Sequence, residues 1–333
     1  MIRWMRLLVA LVACLLVLPR FIHAQELAYG DRVRIAEAFR LADAVEGLWP
    51  GWSEVPFAVL LVTSTHEFLI RHPHPTDDFE SLGHDAVLDE EVLVRARVFE
   101  PGLLATFPAV SGLPTLVIGT PEGTGLSSTQ WVLTALHEHF HQLQMSDDDY
   151  YPATDGLDLS SEDESGMWML DYPFPYDSPK VAAAMERLAR AARLALDSIG
   201  SPSSGEILGD YLAERDRLQG ALSEKDYRYL SFQIWQEGIA RYTQLAVATL
   251  AGTEFVPSTL FEALPDFTSY SDAADELRET VRSELERSLP ELRRVFFYPI
   301  GAVEGLLLDK TRPGWREDYL ARKFYVERYF VDP

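Results

Sequence analysis

Hydrophobic and polar residues follow different periods in the two halves of this chain. Between residues 57 and 118, several segments are rich in β-branched residues or alternate between apolar and polar positions, with prolines and glycines between them. This pattern predicts a largely antiparallel sheet of four or five strands. In residues 131–144 and from residue 180 onward, apolar residues recur every three or four positions, which predicts helices. The predicted strands are 57–63, 67–71, 91–99, 103–110 and 115–118.

Helices are predicted on both sides of the strand segments. Residues 31–47 have helical spacing, and Pro50 with Gly51 ends that segment. The fold class that we predict is α+β, with a helix and a sheet in residues 25–126 and a helical lobe in residues 127–333. The helices predicted late in the chain are 180–198, 207–222, 225–251, 272–288, 299–308 and 315–330.

One helix of the second half has a clear start signal. Ser127, followed three residues later by Gln130, is the pattern of a capping box, and a glycine-rich turn precedes it. Leu133, Leu136 and Phe140 then recur on one face and form a stripe that buries the helix. The sequence therefore predicts a core helix that begins near residue 128 and continues to about residue 144.

This helix contains the pattern H-E-x-x-H. His137 and His141 are about one turn apart, so both imidazoles leave the same face and can share one tetrahedral zinc ion. Glu138 lies beside that face, where its carboxylate can take a proton from a water that the ion activates. His139 points elsewhere. The alternative is a core helix whose histidines are only hydrogen-bonded, and the cap and the apolar stripe favour the zinc site.

A catalytic zinc ion usually has three protein ligands, and no histidine follows His141. Asp147 is one candidate for the third ligand, but the glycine that would turn the chain back to the metal is missing before it. Glu237 is the better candidate, because a glutamate among apolar neighbours on a helix must be paired or bound to a metal. An ion pair between Glu237 and Arg241, one turn later, is the alternative.

Residues 237–242 read Glu-Gly-Ile-Ala-Arg-Tyr and fit the pattern E-G-x-A-x-Y. With His137, Glu138 and His141, this segment resembles the gluzincins, zinc metallopeptidases in which a glutamate from a later helix joins H-E-x-x-H. The resemblance covers roughly residues 55–310 and implies the zincin-like fold, with a mixed sheet over the metal helix and a helical lobe below it. It also implies that His137, His141 and Glu237 hold Zn²⁺ and that Glu138 is the catalytic base.

The resemblance further implies a group that stabilises the oxyanion. Thermolysin-type gluzincins use a downstream histidine, which this chain lacks, whereas aminopeptidase N-like relatives use a tyrosine. Tyr298, before Pro299 and Gly301 at the start of a predicted helix, is our first candidate, and Tyr242 is the second. The G-A-M-E-N motif of the aminopeptidases is absent, so endopeptidase, carboxypeptidase and other specificities stay open.

The first 24 residues have the pattern of a secretory signal peptide. Arg3 and Arg6 precede an apolar run at 7–18, and the expected cleavage follows Ala24. The four residues that end at Cys14 resemble a lipobox, but the apolar run continues past Cys14, which argues against lipidation. The run is too short for a permanent membrane span. We therefore expect an exported protein, secreted or periplasmic, without stable membrane insertion.

Charge and cysteine content restrict the partners further. Cleavage after residue 24 takes three arginines from 29 basic residues and none of the 52 acidic ones, which leaves a net charge of −26 and makes nucleic acid an unsuitable partner. The only cysteine lies in the leader, so the mature chain has neither a disulfide nor a thiolate ligand. The acidic segments 147–149 and 160–166 lack EF-hand spacing, which favours solvated loops over calcium sites.

The sequence therefore predicts an exported zinc-dependent peptidase that acts on a peptide or protein substrate. One alternative is another metal-dependent hydrolase on the same scaffold, for a non-peptide amide or ester. A second alternative is a non-catalytic binding protein that keeps the metal helix as structure. Glu138 argues against the second alternative, since a structural metal site needs no base.

Overall fold

The structure is a computed structural model that describes residues 26–331, except 162, 164, 202 and 203. The predicted leader, with Cys14, lies outside the described residues. The chain has an α+β fold, as predicted, in which a mixed sheet precedes a largely helical region. None of the helices within the described part of the chain is long and apolar enough to cross a membrane.

Within the described residues, the sheet has six strands and is mostly antiparallel. Along the sheet the order is third, fourth, second, first, sixth and fifth strand, and only the contact between the first and sixth strands is parallel. The strands are β1 (Val59–Val62), β2 (His66–Ile70), β3 (Glu80–Asp85), β4 (Glu90–Ala96), β5 (Leu104–Val110) and β6 (Leu113–Gly119).

The edge strand β3 was not predicted from the sequence. Five of its six side chains are exposed, and none is buried. Alternation of apolar and polar residues arises when one face of a strand packs against a core, and neither face of β3 is buried. Backbone pairing with β4 holds it instead. The sequence pattern therefore found the strands that bury side chains and missed the one that only adds hydrogen bonds.

Both faces of the central strands are buried. On β1, Val59 and Leu61 point into the large core shared with the helices, whereas Leu60 and Val62 belong to a smaller core on the other face. This burial explains why β1 reads as a continuous apolar run. The sheet therefore offers a fixed surface to the helix that follows β6.

The helices form the second layer. They are α1 (Tyr29–Ala44), α2 (Pro121–Thr124), α3 (Ser128–Ser146), α4 (Tyr150–Asp155), α5 (Trp168–Asp171), α6 (Pro179–Ser198), α7 (Ser204–Gln219), α8 (Glu224–Gln233), α9 (Ile239–Glu254), α10 (Thr259–Glu262), α11 (Tyr270–Glu284), α12 (Leu289–Leu292) and α13 (Phe297–Thr311). Helix α3 packs on the sheet through β5 and β6, and α9 packs against α3, α11 and α13. The six predicted helices 31–47, 180–198, 207–222, 225–251, 272–288 and 299–308 correspond to α1, α6, α7, the run α8 to α9, α11 and α13.

The predicted helix 315–330 was wrong. This segment holds two short 3₁₀ turns, Trp315–Asp318 and Val326–Phe330, and Phe324 between them has a φ of +74°. A phenylalanine rarely adopts that left-handed conformation, and the packing of its nearly buried ring in the core maintains it here. Apolar spacing shows which side chains are buried but not the backbone conformation. In this segment the buried side chains belong to an irregular backbone.

Two glycines bring α13 against the long helical run that contains α8 and α9. A Cβ added to Gly301 would lie 2.5 Å from the Cα of Gly238 and 2.8 Å from the carbonyl oxygen of Ile234. A Cβ added to Gly238 would lie 2.7 Å from the Cα of Gly301. Real Cβ atoms do not approach other atoms this closely, so the two backbones meet only because both residues are glycine.

Substitution Gly301→Ala should therefore destabilise the protein although alanine is the better helix former. We expect the free energy of unfolding to fall by roughly 1–3 kcal/mol, the usual cost of overpacking. Gly209→Ala is the matched control, since a Cβ at Gly209 in α7 meets nothing within 4 Å, and it should stabilise by up to about 1 kcal/mol. Urea denaturation of both variants measures the difference, and equal stabilities would contradict the close contact.

Candidate metal site

The capping box predicted at the start of α3 is present. The Ser127 hydroxyl accepts a hydrogen bond from the backbone N–H of Gln130, and the Gln130 side chain accepts one from the N–H of Ser127. Further along, the Thr106 hydroxyl of β5 donates to the backbone carbonyl of Glu138 at 3.0 Å. The helix is thus fixed to the sheet at the turn that carries the motif.

His137, Glu138 and His141 form a buried group on one side of α3. They are 7, 5 and 5% exposed, and each offers a ligand atom within 4.8 Å of the other two. The rings of His137 and His141 have centroids 5.0 Å apart. The spacing of H-E-x-x-H therefore produces the shared face that the sequence predicted.

His139 belongs to a different face, as predicted. Its ring stacks on Phe57 with centroids 4.2 Å apart and meets the edge of Trp52 at 4.6 Å. Its Nδ1 lies 2.8 Å from the Gln142 side-chain oxygen. Burial lowers the pKa of His139 to about 4, so the ring is neutral at physiological pH. This histidine is a packing residue behind the candidate site.

Glu237 reaches the histidines from a π-helical turn. Residues Ile234–Gly238 form a single π turn between α8 and α9, and such turns are rare and often found at functional sites. The side chain of Glu237 is 16% exposed, and its Oε2 lies 3.7 Å from Nε2 of His137 and 3.5 Å from Nε2 of His141. The residue predicted as the third ligand is therefore next to both histidines.

These distances fit a metal ion between the three side chains. Ligand atoms about 2.1 Å from a zinc ion lie roughly 3.4 Å apart around a tetrahedron. The separations of Glu237 from the two histidines are within a few tenths of an ångström of that value. Glu138 Oε2 and His137 Nδ1 are buried and have no hydrogen-bond partner among the described residues, and buried polar atoms normally have one. The donor set and the unpartnered carboxylate oxygen fit a metal with a bound water.

A glutamine fixes the orientation of His141. The Gln144 side-chain nitrogen donates to the backbone carbonyls of Trp235 and Gln236 at 3.2 and 3.1 Å, so the other amide atom is an oxygen and accepts. That oxygen lies 2.7 Å from Nδ1 of His141, closer than the Gln236 side-chain nitrogen at 3.2 Å, so the shorter contact favours a proton on Nδ1. With a neutral ring, the lone pair is on Nε2, the atom that faces Glu237. Metal-bound histidines usually have such an outer partner.

The charges of the group depend on one another. Burial alone would lower the pKa of His141, but the Glu237 carboxylate outweighs it and raises the pKa to about 9. Burial would likewise raise the pKa of Glu237, but the charges of His141 and Arg294 hold it well below its usual range. Burial lowers the pKa of His137. A proton on His141 balances the buried carboxylate, and a metal ion that bound there would displace it.

Tyr298, the first candidate for oxyanion stabilisation, lies beside Glu237. Arg294 joins the two, since its Nη1 donates to Glu237 Oε1 at 3.0 Å and to the Tyr298 oxygen at 2.5 Å. Because the oxygen accepts from Arg294, the tyrosine hydroxyl is free to donate elsewhere. Burial, followed by the charge of Glu237, raises the pKa of Tyr298 well above its ordinary value. The phenol therefore keeps its proton at neutral pH.

The second candidate, Tyr242, is directed to other partners. Its hydroxyl donates to Asp309 at 2.7 Å and accepts from Arg316, and its ring packs against Gly305. These contacts occupy the hydroxyl and join α9 to α13 and to the residues after it. Of the two tyrosines, only Tyr298 is hydrogen-bonded through Arg294 to Glu237.

The other predicted alternatives also have partners of their own. Asp147 forms an ion pair with Lys323 at 2.9 Å, beyond the last turn of α3. Arg241 lies 4.0 Å from Glu284, so the ion pair of Glu237 is with Arg294 and not with Arg241. Asp147 is therefore held by Lys323, and the predicted ion pair between Glu237 and Arg241 is not formed.

Sequence reasoning missed Gln144 and Arg294. Gln144 stands three residues after His141, and a polar residue on the buried side of α3 was a signal that could have been used. Arg294 gave no signal, because it lies 57 residues from Glu237 in a segment without a motif. Only the packing of α13 on the π turn reveals its role.

No family model, curated protein or solved structure matches this chain. The function is therefore inferred from the geometry of the site.

Zinc binding separates the two candidates for the third ligand. Glu237→Ala removes an atom next to both histidines, so zinc affinity should fall by more than the roughly 10- to 100-fold that an outer partner contributes. Asp147→Ala removes the ion pair with Lys323 and a hydrogen bond from the Asp149 N–H, and it should leave zinc affinity unchanged. Chelator competition on the metal-free proteins gives both values, with circular dichroism to confirm folding. If Asp147→Ala loses zinc while Glu237→Ala keeps it, the ligand assignment is wrong.

Proposed function

We propose that this protein is a zinc-dependent hydrolase of gluzincin type that cleaves peptide bonds. One observation carries the proposal: Glu237 Oε2 stands 3.7 and 3.5 Å from the two Nε2 atoms of H-E-x-x-H, at the spacing of zinc ligands. His137, His141 and Glu237 would hold the ion, and Glu138 remains beside them with its buried Oε2 unpartnered among the described residues. The resemblance to gluzincins supports a peptide or protein as the substrate, and the leader pattern supports export.

A bound zinc ion lowers the pKa of a water and polarises a carbonyl. Glu138 takes the proton of the water as the oxygen adds to the carbonyl carbon. The same carboxyl group then passes this proton to the amide nitrogen while the C–N bond breaks, so the products are an acid and an amine. Its buried position, 5% exposed, keeps bulk water from competing for that proton.

Tyr298 supplies a donor for the oxygen that becomes negative. Its hydroxyl oxygen accepts from Arg294, so its own proton can be donated to a substrate oxygen. A neutral, preoriented phenol stabilises developing charge without reorganising. This role is the one that a downstream histidine performs in thermolysin-type enzymes.

The small exposure of the site favours a second candidate, a hydrolase of small amides or esters. His137, Glu138 and His141 are each at most 7% exposed, and Glu237 shows 16% of its side chain. A folded protein segment cannot reach such a group without an opening of the structure, whereas a small acyl compound can use a narrow entrance. The two candidates share their chemistry and differ only in the substrate.

Glu138→Gln tests the enzyme against a non-catalytic metal protein. The amide has nearly the same shape and cannot accept the proton, so hydrolysis should fall by a factor of roughly 10²–10⁴ with zinc content unchanged. His141→Ala should lose both the bound zinc and the hydrolytic activity. A library of unfolded peptides and a panel of small amides and esters identify the substrate class. Wild-type zinc protein that hydrolyses neither would leave only the non-catalytic role.

The two tyrosines give a matched comparison. Tyr298→Phe removes a donor from the site and should lower turnover by roughly 10²–10³ while the protein stays folded. Tyr242→Phe removes the bonds to Asp309 and Arg316, so it should lower stability by about 1 kcal/mol and leave turnover nearly unchanged. Steady-state kinetics with thermal unfolding separate the effects. A turnover loss confined to Tyr242→Phe would reverse the assignment.

A further inference from the structure

Arg294 contacts both Glu237 and Tyr298 with the same nitrogen. Its Nη1 lies 3.0 Å from Glu237 Oε1 and 2.5 Å from the Tyr298 oxygen, and its guanidinium carbon lies 5.4 Å from the centre of the Tyr298 ring. Only 23% of the side chain is exposed. The guanidinium is therefore placed between the third ligand and the donor, in contact with each.

The contact decides which oxygen of Glu237 faces the histidines. Arg294 occupies Oε1, and Oε2 is the atom that lies next to Nε2 of His137 and of His141. A guanidinium has only donors, so it cannot compete for the metal and holds the carboxylate in one orientation. Glu237 is thereby presented as a ligand through a single oxygen.

The same guanidinium decides what the Tyr298 hydroxyl can do. Since Arg294 cannot accept a hydrogen bond, the tyrosine oxygen is the acceptor and its proton points away from the arginine. The Glu237 carboxylate, held by the same nitrogen of Arg294, is one acceptor available to that proton. A substrate oxygen would replace the Glu237 carboxylate as the acceptor of that proton.

We propose that Arg294 is a positioning residue of the metal site, which holds Glu237 as a one-oxygen ligand and Tyr298 as a donor. The proposal rests on the proposed function, because it assigns both contacts to a zinc hydrolase. It goes beyond that function in assigning a role to a residue that binds neither zinc nor substrate. Arg294 acts on zinc through Glu237 and on the reaction through Tyr298.

Zinc affinity of the metal-free protein is the first measurement. Arg294→Met should raise the zinc dissociation constant by roughly 10- to 100-fold, as loss of an outer partner of a ligand does. Arg294→Lys keeps a charged donor without the planar fork and should recover part of the affinity. The neighbouring Arg293→Met is the matched control. The Arg293 side chain is 57% exposed and pairs with Asp177 at 3.6 Å, so its loss should leave zinc affinity unchanged.

Thermal unfolding distinguishes positioning from a purely structural role. A structural ion pair would lower the melting temperature of the metal-free Arg294→Met protein and leave the zinc dissociation constant as in wild type. A positioning role reduces the rise in melting temperature that a fixed zinc concentration produces, because that rise depends on the dissociation constant. If Arg294→Met does not fold, the same comparison is made with Arg294→Lys and Arg294→Gln.

Kinetics at saturating zinc test the second contact. Arg294→Met should lower kcat and leave KM nearly unchanged, because Arg294 acts on a donor that matters in the transition state. In the Tyr298→Phe background the same substitution should lower kcat less, because the group it positions is gone.

The outcomes separate this proposal from the proposed function. An unchanged zinc dissociation constant in folded Arg294→Met overturns the positioning role alone, with the hydrolase intact. Wild-type protein that binds zinc but hydrolyses nothing overturns the hydrolase, and the affinity series still decides the role of Arg294 at Glu237. Wild-type protein that binds no zinc overturns both.

Discussion

The contact between Gly238 and Gly301 is the constraint on which the candidate site depends. The histidines of α3 are placed by the sheet and the capping box, but the other half of the site comes from the π turn and from the segment that leads into α13. These two meet at a distance that only a pair of glycines permits. The same contact places Tyr298 and Arg294 next to Glu237. A longer side chain at either glycine would separate Glu237 from Arg294 and Tyr298.

The buried charges explain why the site is built from several elements. A carboxylate in the core must be paired, and Glu237 has His141, His137 and Arg294 around it. The guanidinium is a permanent charge, whereas His141 carries a proton only while no metal replaces it. A divalent ion in place of that proton would keep the carboxylate paired. The metal-free protein can therefore fold with the ligands already near one another.

Local patterns predicted the parts of the site that lie close in sequence. H-E-x-x-H with its cap needed only helical geometry, and Glu237 stood out as an acidic residue on an apolar helical run. The partners of Glu237 come from distant parts of the chain. Arg294 contacts it from the segment that leads into α13, and no periodic pattern in the sequence predicts that contact. The fold predictions succeeded and failed for the same reason, because local patterns report only burial. Alternation revealed the buried strands but missed the exposed strand β3. Apolar spacing at 315–330 predicted a helix, whereas the buried side chains there belong to an irregular segment with two short 3₁₀ turns.

Gln144 links the two halves of the site through one amide group. Its oxygen accepts from Nδ1 of His141, and its nitrogen donates to the carbonyls of Trp235 and Gln236 in the π turn and to the hydroxyl of Tyr319. A π turn leaves carbonyls without their usual helical donors, and here a side chain of the metal helix supplies them. The amide that satisfies the turn thus also sets the tautomer of His141. The distance between His141 and Glu237 is therefore fixed by hydrogen bonds that need no metal, which is the preorganisation that a catalytic metal site requires.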